Sequence, residues 1–199
     1  MIKLKVILGS VREGRAGEKL LDWSKKYIEA NKEFDVEYID LKDYQFPMYR
    51  FAGSPAYGPL DDPLVEKFRH KIADGDAFIM VTPEYNRGYP ASLKNAIDHV
   101  YNEWNNKPVA FISYGGMFAG DRAVEQLRIV AIELQMAPIR EQFSIPLIWQ
   151  AFDDKGELKD STAANRLTSM VKQLEWWATT LKAGRHEMLL AAPLISRKK

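Results

Sequence analysis

The most constraining feature of the sequence is a pair of short, almost unbroken apolar runs, each closed by a turn and each followed by a helical pattern. Ala77-Phe78-Ile79-Met80-Val81 contains no polar residue. Pro108 to Tyr114 is nearly as apolar. A strand exposed on one face alternates apolar with polar residues, whereas an uninterrupted run suits a parallel strand covered on both faces. The surrounding periodicity agrees. Lys3 to Leu8 reads as a strand and Phe34 to Ile39 alternates like a second. A further strand is expected within Ala137 to Ile145. Helical periodicity covers Gly17 to Asn31, Pro63 to Asp74, the segment carrying Leu93, Ala96, Ile97 and Val100, Asp121 to Leu134, and Asp160 to Leu181, where Asp160 or Ser161 is the expected cap. Alternating strands and helices imply a doubly wound, five-stranded parallel sheet of the flavodoxin-like order 2-1-3-4-5, with helices on both faces.

No repeat, low-complexity tract or linker divides the 199 residues, so residues 1–199 are read as a single domain, with 184–199 as a tail free to fray. The irregular stretch Asp40 to Pro63, rich in Pro, Gly and Tyr, is long for a compact domain and suggests a functional or lid-like loop. With 28 Lys+Arg against 27 Asp+Glu, the chain lacks the broad positive field that nucleic acid or anionic lipid needs. Any bound anion must be held locally. The absence of cysteine excludes disulfides, thiol nucleophiles and cysteine-ligated metals. His70, His99 and His186 lack metal-ligand spacing, so no metal site is expected. Residues 1–8 are too short and too charged for a signal sequence, and no apolar run approaches the ~20 residues of a membrane helix. The expectation is a soluble, cytoplasmic protein.

In a right-handed doubly wound sheet, the loops after strands 1, 3 and 4 share one carboxyl edge, where ligands bind. The first such loop, Gly9-Ser10-Val11-Arg12-Glu13-Gly14-Arg15-Ala16-Gly17, combines small residues, a hydroxyl and two arginines at a helix start. Free N–H groups and the positive helix end suit a phosphate there. The loop is neither a Walker A nor a Gly-x-Gly-x-x-Gly fingerprint. The second, Thr82 to Pro90, is stiffened by two prolines and carries Tyr85 and Asn86. The third pairs Gly115 with Gly116, where backbone can approach a ligand closely. Taken alone, each loop also reads as an ordinary βα turn.

Taken together, Gly9-Ser10-x-Arg12-x-Gly14-Arg15, Thr82-Pro83-Glu84-Tyr85-Asn86 leading to Leu93-Lys94-Asn95-Ala96-Ile97-Asp98, and Tyr114-Gly115-Gly116 resemble the NADPH-dependent FMN reductase family in order and spacing over residues 1–146. That family includes quinone, azo-dye and chromate reductases. The resemblance implies non-covalent FMN, with NADPH or NADH as reductant. It places the FMN phosphate on the loop Ser10 to Gly17, with Ser10, Arg12 and Arg15 as polar contacts and Gly14, Ala16 and Gly17 as backbone. It places Pro83, Glu84, Tyr85 and Asn86 along the isoalloxazine, and Ser113, Gly115 and Gly116 at its pyrimidine edge. Arg15-Ala16-Gly17 stands where some members carry Ser-x-Asn, and Gly88 where some carry Ser.

The activity so implied is hydride transfer from NAD(P)H through FMN to a small flat acceptor such as a quinone, in ping-pong order. No protein acid–base pair is needed, because the flavin N5 carries the chemistry. Tyr49, Arg50, Tyr57 and Arg87 are candidates for the acceptor pocket, and each also reads as an ordinary surface residue. The resemblance further implies a homodimer or homotetramer. Because aromatics concentrate at interfaces, Trp104 and Trp176-Trp177 are candidate interface anchors, and core packing explains Trp177 equally well. Two rival activities remain at this level: a flavodoxin-type electron carrier and a non-enzymatic FMN-binding redox sensor. Flavodoxins are usually strongly acidic, which a net charge of +1 opposes.

Overall fold

A computed structural model describes residues 1–195, and side chains through residue 187. Parallel strands β1 (Ile2–Leu8), β2 (Phe34–Asp40), β3 (Ala77–Pro83) and β4 (Pro108–Tyr114) form the sheet with two short strands, β5 (Ala137–Pro138) and β6 (Phe143–Ile145). The order is β2-β1-β3-β4-β5, with β6 also pairing β4 in parallel. This is the expected winding, with one refinement: the fifth strand is split. Pro138 has no N–H to continue the ladder. The excursion between the two pieces is held by Arg128, whose guanidinium donates to Ile139 O at 2.6 Å, Arg140 O at 3.1 Å and Gln142 Oε1 at 3.1 Å.

Five helices flank the sheet: α1 (Gly17–Ile28), α2 (Pro63–Asp74), α3 (Ala91–Asp98), α4 (Asp121–Glu133) and α5 (Ala163–Ile195). Every residue of β3 and β4 is buried, because both faces are covered. On one face Leu4, Val6, Ile79, Val81 and Ile112 pack against Leu20 and Leu21 of α1 and Leu167, Met170 and Leu174 of α5. On the other, Ile7, Phe78, Met80, Val109 and Phe111 meet Phe68 and Ile72 of α2, Leu93 and Ile97 of α3, and Val124 and Leu127 of α4. Registers Leu8↔Val81 and Val81↔Ile112 bring the three central strands to one level at their carboxyl ends.

Three sequence expectations change here. The last helix does not end near Leu181 or Gly184: α5 continues through Ile195, and the rest of the expected tail, 196–199, lies outside the described residues. An internal Gly weakens a helix by about 1 kcal/mol. Its neighbours offset that, since Lys182 and Arg185 both donate to Asp76, and Arg185 also to Asn106 O at 2.8 Å. Trp104 is not an interface anchor. It is fully buried, and its indole N–H donates to Val100 O at 3.1 Å; Trp177 packs against the core, and only Trp176 is exposed. The stretch Asp40 to Pro63 is not a detached lid. Leu41, Tyr44 and Leu60 are buried, and Asn95 pins the loop to α3 by accepting from Tyr49 N at 3.1 Å and donating to Pro47 O at 3.0 Å. No helix among the described residues is long and apolar enough to cross a membrane.

At the amino edge of the sheet, the buried Lys107 amine donates to Ile72 O and Ala73 O, both at 2.9 Å, closing the end of α2. Burial pushes its pKa down from 10.5 to about 8, and nearby Arg185 adds to the shift. Between those values the unfolded chain holds a proton that the folded one has lost, so unfolding free energy rises with pH in this window. Denaturant titrations of wild type and Lys107→Met from pH 8 to pH 10 are expected to show the wild type gaining stability relative to the variant. A difference that is flat with pH would contradict this.

Candidate functional site

A cleft of about 330 Å³ opens at the carboxyl edge, between the loops after β1, β3 and β4. That volume lies at the lower end of small-molecule pockets. One end is built from Arg12, Gly14, Arg15 and Ala16, and the other from Pro83, Glu84, Tyr85, Tyr114, Gly115 and Gly116, with Ile148 and Trp149 as an outer wall. Sequence reasoning located nine of these and missed Tyr114 as a lining residue, along with Ile148 and Trp149. The last two follow the split fifth strand, whose end the sequence pattern does not mark. The one available signal was an apolar Ile-Trp pair just beyond a strand at the carboxyl edge.

The first end is rich in hydrogen-bond donors. α1 starts at Gly17 behind Ala16, which supplies no side-chain cap, so N–H groups of its first turn are left for another acceptor. By contrast, α2 is capped by Asp62, which accepts from Leu64 N at 2.8 Å and Val65 N at 3.2 Å. Arg12 stands exposed on the lip of the cleft.

Arg15 behaves differently from Arg12, and this corrects the expectation that both guanidiniums face the phosphate position. The Arg15 side chain is 2% exposed. All five of its donors meet protein acceptors: Nε and Nη2 reach Glu18 Oε1, Nη1 and Nη2 reach the two oxygens of Asp40, and Nη1 also reaches Ser10 O. Arg15 therefore holds the loop in place, hooking it to the end of β2. Burial raises the Asp40 carboxyl, but the Arg15 guanidinium and the Lys42 N–H outweigh it and leave the pKa below 3.8.

Ser10 is fully buried beneath the cleft, 2.8 Å from the Tyr85 hydroxyl, so it ties the first loop to the second. Gly17 is required by packing. A Cβ there would lie 2.5 Å from the Tyr114 hydroxyl and 3.0 Å from Leu8 Cδ1. Burial pushes the Tyr114 phenol well above its ordinary value. Ser113 is also turned inward and does not line the cleft. Its hydroxyl donates to Ala119 O at 2.9 Å and lies 3.0 Å from Ser144 Oγ, fixing the third loop from below.

The second loop is a two-residue hairpin. Tyr85 N and Gly88 N each donate to the other's carbonyl, at 2.8 and 3.0 Å, and Asn86 (φ 49°) and Arg87 (φ 71°) both occupy the left-handed region. Such primed turns favour Asn and Gly. Asn86 is suited to its position, and Arg87 is held there by Gln126, which donates to its carbonyl at 2.7 Å. Asn86 and Arg87 sit exposed at the hairpin tip, outside the cleft lining. Glu84 stays at the base, pairing with Arg122 at 3.2 Å. The other proposed acceptor residues are not brought to the cleft. Tyr57 is 94% exposed. Arg50 is exposed, and Tyr49 lies on the far side of α3, packed edge-on against His99. Among the described residues, no three His, Asp or Glu side chains converge as metal ligands.

The chain is similar in sequence and fold to known proteins. Residues 2–150 match the model of the NADPH-dependent FMN reductase family. An NAD(P)H-dependent FMN reductase of Schizosaccharomyces pombe is 40% identical over 148 residues, covering 72% of this chain and 74% of the relative. An NAD(P)H:quinone oxidoreductase of Solanum tuberosum is 31% identical over 189 residues, covering 92% and 95%. Among solved structures, a flavoenzyme NAD(P)H:(acceptor) oxidoreductase from Paracoccus denitrificans superposes with a TM-score of 0.72 at 25% identity, covering 90% of this chain and 98% of that one.

The Arg15 hook is testable apart from any ligand. Asp40→Ala leaves a buried guanidinium short of two acceptors. Breaking a fully buried pair costs about 3–5 kcal/mol. Asp40 is one-third exposed, so about 2 kcal/mol is expected, read as a lower urea midpoint of the apoprotein. The folded carboxyl pKa lies below the unfolded one, so the pair's contribution is full above pH 4 and disappears as pH falls through the folded value.

Proposed function

Because this chain belongs to the NADPH-dependent FMN reductase family, we propose that the cleft binds FMN and that the protein passes reducing equivalents from NAD(P)H to a small flat acceptor such as a quinone. The observation that carries this is the uncapped start of α1, set beside Arg12 and opening onto a floor of Gly115 and Gly116. One end of the cleft suits a phosphate, and the other lets a planar ring lie against bare backbone. The residues present therefore fit FMN.

When bound, FMN supplies the two-electron carrier, its N5 taking a hydride from nicotinamide and passing it on. The rest falls to the chain. N–H groups of Gly14 to Gly17 and the Arg12 guanidinium hold the phosphate. Arg15 and Ser10 keep that loop in shape without touching it. Pro83, Glu84 and Tyr85 border the ring along β3, and Asn86 fixes the hairpin that presents them. The Gly116 N–H would stabilise negative charge on the ring's carbonyl edge, as an oriented backbone donor does, while Gly115 N is held by Ile145 O at 3.3 Å. Arg87, exposed at the hairpin tip two residues from Tyr85, meets the acceptor. A single open face then serves nicotinamide and acceptor in turn, which gives ping-pong order. Copies of the chain associate as a homodimer or homotetramer; the exposed Ile129 and Ile132 of α4 support this. Residues 1–199 act as one domain in the cytoplasm.

Titration of the purified protein with FMN should quench flavin fluorescence, and NADPH should bleach the bound flavin's absorbance. Arg12→Ala should raise the FMN Kd about tenfold, the effect of one charge-assisted hydrogen bond, with an unchanged urea midpoint. Double-reciprocal plots against NADPH at several quinone concentrations should be parallel. Protein that acquires no flavin absorbance refutes the reading, and intersecting lines refute the kinetic order. A monomeric mass by light scattering refutes association.

A further inference from the structure

Trp149 is unusual among the large apolar side chains. It is 67% exposed, yet the turn that carries it is tied down on both sides. Leu147 N donates to Gly116 O at 3.0 Å, Ile148 N to Gly115 O at 3.1 Å, and Gln150 N to Leu147 O at 2.8 Å. These bonds lace the turn after β6 to the glycine pair. Leu147, a bulky residue, is held in the left-handed region at φ 44° to make the turn. A non-glycine residue there is strained and persists only where its surroundings enforce it. The turn so held carries the indole to the glycine pair. Trp149 Cη2 lies 3.8 Å from the point a Cβ on Gly116 would occupy. The ring hangs over bare backbone at the cleft mouth. Met117 and Phe118 extend the apolar rim, and the Arg122 guanidinium lies 3.4 Å from the Phe118 ring centroid. A singly exposed aromatic on a loose loop would need no explanation. One carried on a turn whose neighbouring residues make three backbone bonds, and lining the cleft itself, presents an open face to a ligand.

We propose that Trp149 is the specificity-determining residue for the acceptor, offering its indole face to planar aromatic rings and so favouring them over compact acceptors that cannot stack. The proposal rests on the reading that the cleft holds FMN. It goes beyond that reading in assigning acceptor choice to a residue that does no redox chemistry. Offset or edge-on aromatic pairs contribute about 0.5–1.5 kcal/mol, which corresponds to roughly a two- to tenfold effect.

The test compares wild type, Trp149→Ala and Trp149→Phe, each loaded with FMN. KM is measured for a naphthoquinone and for ferricyanide, an octahedral acceptor with no ring to stack. Binding of 2-naphthol, planar and not reducible, is followed by equilibrium dialysis. Trp149→Ala is expected to raise the naphthoquinone KM about two- to tenfold relative to that of ferricyanide, and to weaken naphthol binding by a similar factor. Trp149→Phe should recover most of both. Equal effects on the two acceptors, or unchanged naphthol binding, overturn the proposal. So does a loss confined to FMN affinity, which would make Trp149 a wall for the cofactor, or a halved mass by light scattering, which would make it a subunit contact. If wild type itself takes up no FMN, the underlying reading falls first, and the flavin titration shows that separately.

Discussion

Burial of β3 and β4 on both faces is the constraint on which the rest depends. Every residue of both strands is buried, so their two small polar side chains, Thr82 and Ser113, sit near the strand ends and are paired within the protein, to Pro83 O and Ala119 O. Chemistry is forced to the carboxyl edge, where the strands stop. Level registers then set three loops side by side. They are joined by few contacts: Glu84 N donates to Tyr114 O at 3.2 Å, Gly9 N to Val81 O at 2.9 Å, and Ser10 meets Tyr85. The position of the cleft follows from the sheet, and its contents follow from the loops.

The same constraint explains what was legible in the sequence. Apolar runs and helical periodicity carry long-range information in local form, so Pro63–Asp74 and Pro108–Tyr114 are readable to the residue. The split of the fifth strand is not, since it depends on Arg128 reaching Ile139 and Arg140 from α4. The helix through Gly184 is likewise unreadable, because the residue that anchors it, Asp76, lies more than a hundred positions away.

Within the site, the limits are sharper. Arg12 and Arg15 are three residues apart and equivalent by composition. Asp40, twenty-five positions on, distinguishes them together with Glu18 and Ser10 O by drawing one guanidinium under the loop. Ser113 looks like a ligand hydroxyl until Ala119 O and Ser144 are seen to engage it. The aromatic loop Asp40 to Pro63 suggested an acceptor pocket, yet Asn95 fastens it to α3 instead. That gives the Asn of the Leu-Lys-Asn-Ala-Ile-Asp block a structural task. In each case a polar residue type indicated a contact, and its partner, distant in sequence, decided what the contact was.

Strain supplies the remaining link between fold and function. Of six non-glycine residues with positive φ among the described residues, four lie in the loops around the cleft: Asn86 and Arg87 at the hairpin, Ala119 after the glycine pair, and Leu147 before the outer wall. Three of these are tied by hydrogen bonds: Gln126 donates to Arg87 O, Ser113 to Ala119 O, and Leu147 N to Gly116 O. A loop free to relax would shed such conformations, so their persistence means the surrounding elements dictate the loops' shape. A cleft shaped in advance loses little conformational freedom when a ligand enters, which leaves more of the contact energy to appear as affinity. The stiffness that the buried sheet imposes on its edge is thus also what prepares that edge to hold a rigid planar ring.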